Sequence, residues 1–380
     1  MQMDIADFKA GSYQQQYQYQ SFEPSPINHQ WIISNPEIVK LLAEASRLLG
    51  ELDAFARFIP DVDFFIQMHI TKEATTSSLI EGTQTNMQEA LISKQDIYPE
   101  KRDDWQEVQN YIQATNFALD RLQELPLSTR LLTETHRILL QGVRGKHKQP
   151  GDFRSSQNWI GPSLKQALYV PPHHSSVPVL MSDLEKFMHN DQHPIPHLIK
   201  IGIIHYQFET IHPFLDGNGR LGRLLIVLYL INFGLLSKPA LYISDFFERH
   251  KSAYYDYLTA VRTTNNMSDW LKFFLSGVVE TAQRSTQVFK AIVSLKAEID
   301  QQLLPNLHRR KQDNARKLVL MLYKQPVIKV KQVEDLLDVQ YNTAAALIGD
   351  LIDLGILREI TGHKRNRLYI FDPYVRLFMD

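Results

Sequence analysis

The strongest constraint on this chain is a twelve-residue polar stretch, HPFLDGNGRLGR (His212 to Arg223), set between two apolar helical patterns. Ile204, Phe208 and Ile211 precede it at three- and four-residue spacing, and LLIVLYLINFG follows it. That spacing predicts a helix on each side, so the stretch is a loop that enters the second helix at its N-terminus. Gly217 and Gly219 let the backbone turn tightly and present consecutive N–H groups. The first-turn amides of the next helix have no internal partners and lie at the positive end of its dipole. Together these groups make a cradle suited to phosphates. Arg220 and Arg223 add guanidinium forks that match phosphate oxygens, and Asp216 adds a hard oxygen ligand for Mg²⁺. His212 can take a proton from an attacking hydroxyl near neutral pH. Base, metal ligand, cradle and clamps are the parts of a phosphoryl-type transfer site. The same letters satisfy G-x-G-x-x-G, with Asp245 after ALYIS where a dinucleotide fold needs an acid. The helical segment before them and the lack of βαβ alternation argue against that reading.

The 380 residues exceed one ordinary hydrophobic core, so two or three domains are expected. A formal net charge of −1 gives no global field toward nucleic acid or anionic lipid. With no cysteine, disulfides, thiolate metal sites and cysteine nucleophiles are excluded, and a cytoplasmic location is expected. The longest apolar run, Leu224 to Leu236, is short of the roughly 20 residues a membrane span needs, so no membrane association is expected. Residues 1–30 read as an extended arm with little to form a core, and they lack the order of a signal peptide. From Pro36 helical periodicity takes over, with Ile38, Leu41, Leu42, Ala45, Leu48 and Leu49 as one stripe. Further helices are predicted over about 63–81, 102–123, 128–142, 181–190 and 195–211. Between Gly151 and Pro172 two short apolar pieces, NWIG and ALYV, predict a β-hairpin, the one strand-like element of the helical region.

The predicted organisation is an N-terminal arm and helical region (1–100), a core (101–287), a charged connector (288–312) and a C-terminal unit (313–380). In that last unit three helices precede a hairpin, the order of a winged helix-turn-helix. Its second-last element, Tyr341 to Leu354, has no Lys or Arg and carries Asp350 and Asp353, so DNA binding is not favoured over docking or dimerisation. Tyr341, Asn342 and Thr343 are the residues that would touch bases, and Lys364, Arg365 and Arg367 the ones that would reach phosphates. His173, His174, His193 and His197 do not suggest a metal cluster, because Pro194 and Pro196 break the helix that an H-x-x-x-H pair needs.

HPFLDGNGRLGR resembles the signature of the Fic family, H-x-F-x-[DE]-G-N-G-R-x-x-R, at every fixed position. The resemblance covers about residues 35–285. It implies a mainly α fold, a helical Fic core with a small β-hairpin flap, here followed by the winged helix. It also implies ATP with Mg²⁺ and transfer of AMP to a Ser, Thr or Tyr hydroxyl of a protein. By position, His212 resembles the general base and Asp216 the metal ligand. Gly217, Asn218 and Gly219 resemble the phosphate anion hole, supported by Arg220 and continued by Leu221 and Gly222; Arg223 resembles the γ-phosphate arginine. Tyr169, Val170 and Pro171 are similar in place to the flap that aligns the target by strand pairing. Tyr254 and Tyr255 resemble tyrosines near the adenine.

A second segment, Ser77-Ser78-Leu79-Ile80-Glu81-Gly82, resembles the family's inhibitory pattern [ST]-x-x-x-E-[GN]. A carboxylate from a neighbouring helix can pair bidentately with Arg223 and take the charge meant for the γ-phosphate. Ser77, one turn earlier, is expected to orient Glu81. The expected whole is an autoinhibited adenylyltransferase that modifies a protein target and itself, as a homodimer. Removal of AMP by the same site is the alternative within enzymes, and a nucleotide-sensing DNA-binding regulator the alternative outside them.

Overall fold

The N-terminal segment is not a free arm but is folded onto the helical body. The computed structural model describes residues 2–58, 62–142, 144–192, 194–363 and 365–379; His193 and Lys364, invoked above, lie outside the described residues. β1 (Gln2–Asp4), β2 (Gly11–Gln15), β3 (Gln20–Pro24) and β4 (Gln30–Ile32) form two pairs, β1 parallel to β4 and β2 antiparallel to β3. Ile5, Phe8, Phe22, Ile27 and Trp31 are buried. The Phe8 and Trp31 rings lie 4.9 Å apart, and Trp31 reaches Phe187 at 6.4 Å. The N–H of Ile27 donates to Asp183 Oδ2 at 2.7 Å. These apolar residues are spread thinly among Gln, Ser and Tyr, so no local period announces them. Their burial comes from docking on a surface made elsewhere in the chain.

Eleven helices follow among the described residues: α1 (Pro36–Phe58), α2 (Val62–Ile80), α3 (Met87–Ala90), α4 (Arg102–Arg121), α5 (Thr129–Leu139), α6 (Val177–Met188), α7 (His197–Ile211), α8 (Asn218–Asn232), α9 (Ser244–Arg249), α10 (Lys251–Thr264) and α11 (Met267–Glu298). Pro36 opens α1, where its missing N–H costs nothing. Ser128 caps α5, its Oγ accepting the Leu131 N–H at 3.4 Å. α7 is buried from Leu198 through Ile211, and α8 from Arg220 through Leu230. Helices buried all round have no polar stripe, which is why these two carry almost no amphipathic signal and sit at the centre of the fold. α11 runs unbroken past residue 287 and ends in a π-helical turn, Ile299–Leu303.

The predicted hairpin between Gly151 and Pro172 is reduced to a single bridge, Ile160 to Tyr169 (N···O 2.9 Å), over a 3₁₀ turn at Leu164–Gln166. Pro162 has no N–H to continue the ladder. The strands proper lie at the two ends of the chain instead.

The C-terminal part holds α12 (Arg309–Lys324), β5 (Val327–Ile328), α13 (Val330–Leu337), α14 (Tyr341–Asp353), β6 (Leu357–Glu359), β7 (Tyr369–Phe371) and α15 (Asp372–Arg376). The three helices and hairpin come in the expected order. β5 adds a third strand, giving the sheet order β5–β7–β6, and α15 follows it. This unit packs on α2: Phe65 meets Tyr323 edge-on at 5.3 Å and Tyr374 at 6.3 Å. His69 lies between Phe289 at 4.6 Å and Phe378 at 5.0 Å. Replacing Phe65 by Ala should cost about 3–5 kcal/mol, the usual range for a buried aromatic cut to a methyl group. Denaturant titration measures the loss, and hydrogen exchange should rise in α12 and α15 while α7 stays protected. Unchanged exchange in α12 and α15 would show that this contact does not hold the C-terminal unit.

Candidate active site

α7 and α8 meet at a pocket of about 490 Å³. His212 follows α7 in the left-handed conformation (φ 50°, ψ 61°) and its N–H closes the last turn on Phe208 O at 2.9 Å. Three side chains hold that strained position. Arg154 Nε donates to His212 O at 2.9 Å, and its Nη2 donates to Pro172 O at 2.6 Å and Ile211 O at 3.3 Å. Asn158 Nδ2 donates to His212 O at 3.2 Å and Phe214 O at 2.8 Å. Asn218 returns to the same loop, accepting Phe214 N–H at 2.8 Å and donating to Phe214 O at 2.9 Å. The imidazole Nδ1 of His212 lies 3.3 Å from Glu209 O. A carbonyl oxygen only accepts, so Nδ1 carries the proton and Nε2 is left with its lone pair. Burial holds the ring neutral and pushes its pKa down to about 4.

The loop itself is pinned by His136. Gly151 N–H donates to its Nδ1 at 2.9 Å, so its Nε2 carries the proton and donates to Asp216 O at 2.9 Å. The ring stacks on Phe214 at 3.8 Å, and burial lowers its pKa to about 4. Gly217, at φ 75°, makes the left-handed turn into α8 that a β-carbon would strain. Its N–H is taken by Asp216 Oδ1 at 2.6 Å, while the Asp216 side chain stays 42% exposed in the pocket. A single half-exposed carboxylate suits a metal shared with a ligand's own oxygens. Among the described residues no group of three or more acidic or histidine side chains could cage an ion alone.

Arg223 is 1% exposed. Its Nη2 donates to Glu81 Oε1 at 2.6 Å and to Ser77 O at 2.8 Å, and its Nε donates to Ser77 Oγ at 2.8 Å. Two expectations change here. Glu81 meets the guanidinium through one oxygen rather than two, and Ser77 bonds Arg223 instead of orienting Glu81. The guanidinium lies against the last turn of α2, so it takes both the hydroxyl and the backbone carbonyl of Ser77. Burial alone would raise the Glu81 carboxyl, but the Arg223 charge more than offsets it and holds its pKa below the usual range. A β-carbon on Gly219 would stand 2.2 Å from Glu81 Oε1, so the carboxylate approaches the α8 N-terminus only because that residue is glycine.

Of the other expected site residues, Tyr254, Tyr255 and Tyr169 line the pocket. Tyr254 is buried, its OH donating to His205 Nε2 at 2.9 Å; Tyr255 is 40% exposed. Tyr169 OH donates to Thr210 O at 2.6 Å. Val170 and Pro171 do not line the pocket; Val170 O accepts the N–H of Phe22, so β3 of the N-terminal segment backs this segment. Arg220 does not line the pocket; it pairs with Glu107 at 3.0 Å and with Asp216 at 3.6 Å, and Leu221 and Gly222 are buried within α8. Gly82, past the end of α2, lines no part of the pocket.

Sequence reasoning did not find His136, Arg154, Glu209, Arg262 or Glu73. Glu209 lines the pocket with Oε1 buried and unpartnered among the described residues, and burial raises its pKa to about 7. Glu73 lies under Ser77 on α2, accepting from Ser244 Oγ and from Tyr111 OH at 3.3 Å; burial raises it too to about 7. The only available signal was polar letters inside otherwise apolar helices, which does not say where they point.

Residues 39–120 match the family described as Fic/DOC family N-terminal, and residues 126–230 match the Fic/DOC family. The chain is 34% identical over 128 residues to the protein adenylyltransferase Fic of Aedes aegypti, covering 33% of this chain and 23% of that protein. The protein of the same name from Culex quinquefasciatus matches at 34% over 128 residues, again 33% and 23% of the two chains. The aligned part thus spans about a quarter of the length of these relatives. In fold, the chain is similar to a Fic family protein from Desulfovibrio desulfuricans G20, with a TM-score of 0.57, 20% identity, and 92% and 98% of the two chains covered. A Fic domain containing signaling protein from Bacteroides thetaiotaomicron VPI-5482 gives a TM-score of 0.51 at 18% identity, covering 67% and 97%. With its signature loop set between two buried helices, and both parts of the family matched in order over residues 39–120 and 126–230, this stretch of the chain is a Fic/DOC region.

Proposed function

We propose that this protein transfers AMP from ATP to a Ser, Thr or Tyr hydroxyl of a protein target, and to itself, and that Glu81 restrains the reaction. The observation that carries the reading is a neutral imidazole sharing one pocket with a helix N-terminus and a buried arginine. The names of the insect relatives support the reaction class. His212 Nε2 takes the proton of the hydroxyl as its oxygen attacks the α-phosphorus. The new O–P bond forms as the bond to the β-phosphate bridging oxygen breaks, and pyrophosphate leaves with that oxygen. The amides at the start of α8, Asn218 and Gly219 foremost, hold the phosphates, and Arg223 holds the γ-phosphate. Mg²⁺, held by Asp216 and the phosphates, would offset charge on the triphosphate. Tyr254 and Tyr255 flank the adenine side, and the bridged Ile160 and Tyr169 segment presents the target backbone.

Glu81 occupies the arginine that the γ-phosphate needs, so ATP enters only in a pose that aims its α-phosphate badly. A second reading, removal of AMP, has one observation in its favour: the same Glu81 carboxylate lines the pocket beside His212 and can orient a water. The absence of cysteine supports a cytoplasmic setting.

Glu81→Gly should raise self-labelling from ATP carrying a labelled α-phosphate by about ten- to a hundredfold, since a charge-assisted hydrogen bond contributes about 1.5–3 kcal/mol. His212→Ala in that background should lower it by about 10²–10⁴. A gel readout gives both, and equal labelling with and without Glu81 would remove the restraint from the reading. Histidine ring resonances followed by NMR, with His212→Ala for assignment, should place the His212 midpoint near pH 4. A midpoint at the ordinary value near 6.5 would mean that the ring is open to water and differently placed.

A further inference from the structure

Resting on the adenylyl-transfer reading, we propose that Arg262 selects targets by pairing with an acidic side chain that flanks the acceptor hydroxyl. Arg262 lies on α10 and lines the same pocket as His212 and Tyr169. Its guanidinium carbon stands 4.0 Å from the centre of the Tyr169 ring, which is itself locked by its OH to Thr210 O. One nitrogen, Nη2, donates to Thr259 Oγ1 at 3.1 Å. Other arginines of this region are spoken for: Arg223 pairs with Glu81, Arg249 with Asp245 and Glu280, and Arg284 with Asp245, while Arg154 donates to backbone carbonyls. No carboxylate pairs with Arg262 among the described residues. Of the three acids in the pocket, Glu81 pairs with Arg223, Asp216 caps the Gly217 N–H, and Glu209 is buried with its Oε1 unpartnered; none forms an ion pair with Arg262.

The pocket therefore has two cations with different settings. Arg223 faces the α8 N-terminus, where phosphates go. Arg262 is stacked on the tyrosine of the flap, the element proposed to stand beside the target. A guanidinium on an aromatic face is held in one plane and keeps its remaining N–H groups aimed outward, which suits a carboxylate. The rim beyond it is apolar, with Leu168 85% exposed and Trp159 43% exposed. An extended segment laid along the flap thus meets a cation on one side of its hydroxyl residue and apolar surface on the other. Charge complementarity commits the occupant to a segment with Asp or Glu beside its Ser, Thr or Tyr.

The test uses the full chain carrying Glu81→Gly, ATP, and a degenerate peptide library with a fixed hydroxyl residue, the modified peptides being sequenced by mass spectrometry. Asp and Glu should be enriched about fivefold at one flanking position, the factor expected of a partly exposed ion pair. Adding Arg262→Glu should exchange that preference for Lys and Arg, whereas Arg262→Lys should keep it in weaker form. The same acidic preference with and without Arg262→Glu, or no preference in either, overturns the proposal. So does self-labelling with no labelled peptide, because recognition would then need more than a short segment. Absence of self-labelling by the Glu81→Gly chain instead removes the transfer reading, and this inference falls with it.

Discussion

A full positive charge buried at the centre of a protein must be answered by carboxylates or by oxygen dipoles, and Arg223 is such a charge. It sits on α8 with 1% of its surface exposed, and its guanidinium is answered by Glu81, just past the end of α2, together with the hydroxyl and carbonyl of Ser77. Removing one partner of a buried ion pair is costly because the other is left uncompensated. The arginine is therefore best compensated when either the carboxylate or a phosphate joins the two Ser77 oxygens. On the proposed reading, restraint and catalysis are two ways of meeting the same electrostatic demand, and they exclude one another because there is one guanidinium. Gly219 allows this competition, since any side chain there would collide with the Glu81 oxygen.

Around that charge the fold holds its reactive atoms by exhausting backbone hydrogen bonds. The α7–α8 loop would be a free turn in isolation. Arg154, Asn158, Asn218 and His136 instead satisfy the carbonyls of Ile211, His212, Phe214 and Asp216. Each such bond fixes a carbonyl that a helix end leaves unpaired, and together they lock His212 in its left-handed conformation. His136 and His205 serve as neutral two-sided connectors, each with one nitrogen donating and one accepting. Burial keeps both uncharged, His205 down to about 3 and His136 to about 4, so their tautomers stay fixed through the physiological range.

α2 joins two regions that the sequence presents as separate. Its last turn places Ser77 on Arg223, and Glu81, one residue past its end, enters the pocket, while Phe65 and His69 on the same helix pack against Tyr323, Tyr374 and Phe378 of the C-terminal unit. One helix thus carries both the Ser77 turn that meets Arg223 and the face that seats the C-terminal unit. The N-terminal strands play the matching role on the flap side, with Phe22 donating to Val170 O.

The centre of this molecule was legible without coordinates. Twelve contiguous residues contain His212, Asp216 and the glycines that open α8, and the flanking apolar runs are too long and too uniform to be anything but buried helices, because those properties follow from neighbours within a few positions. What spacing could not reveal is anything that depends on residues far apart meeting. Glu81 and Arg223 are 142 positions apart, and only packing showed that one carboxylate oxygen reaches the guanidinium and that Ser77 serves the arginine rather than the glutamate. The N-terminal segment looked unable to build a core because it cannot do so alone; it borrows the surface of the helices. Glu209 and Arg262 read as ordinary helix residues until tertiary structure placed one beside Arg223's helix and the other on the flap tyrosine. Local chemistry is written in the order of the letters, whereas burial and partnership are decided by the whole chain folding at once.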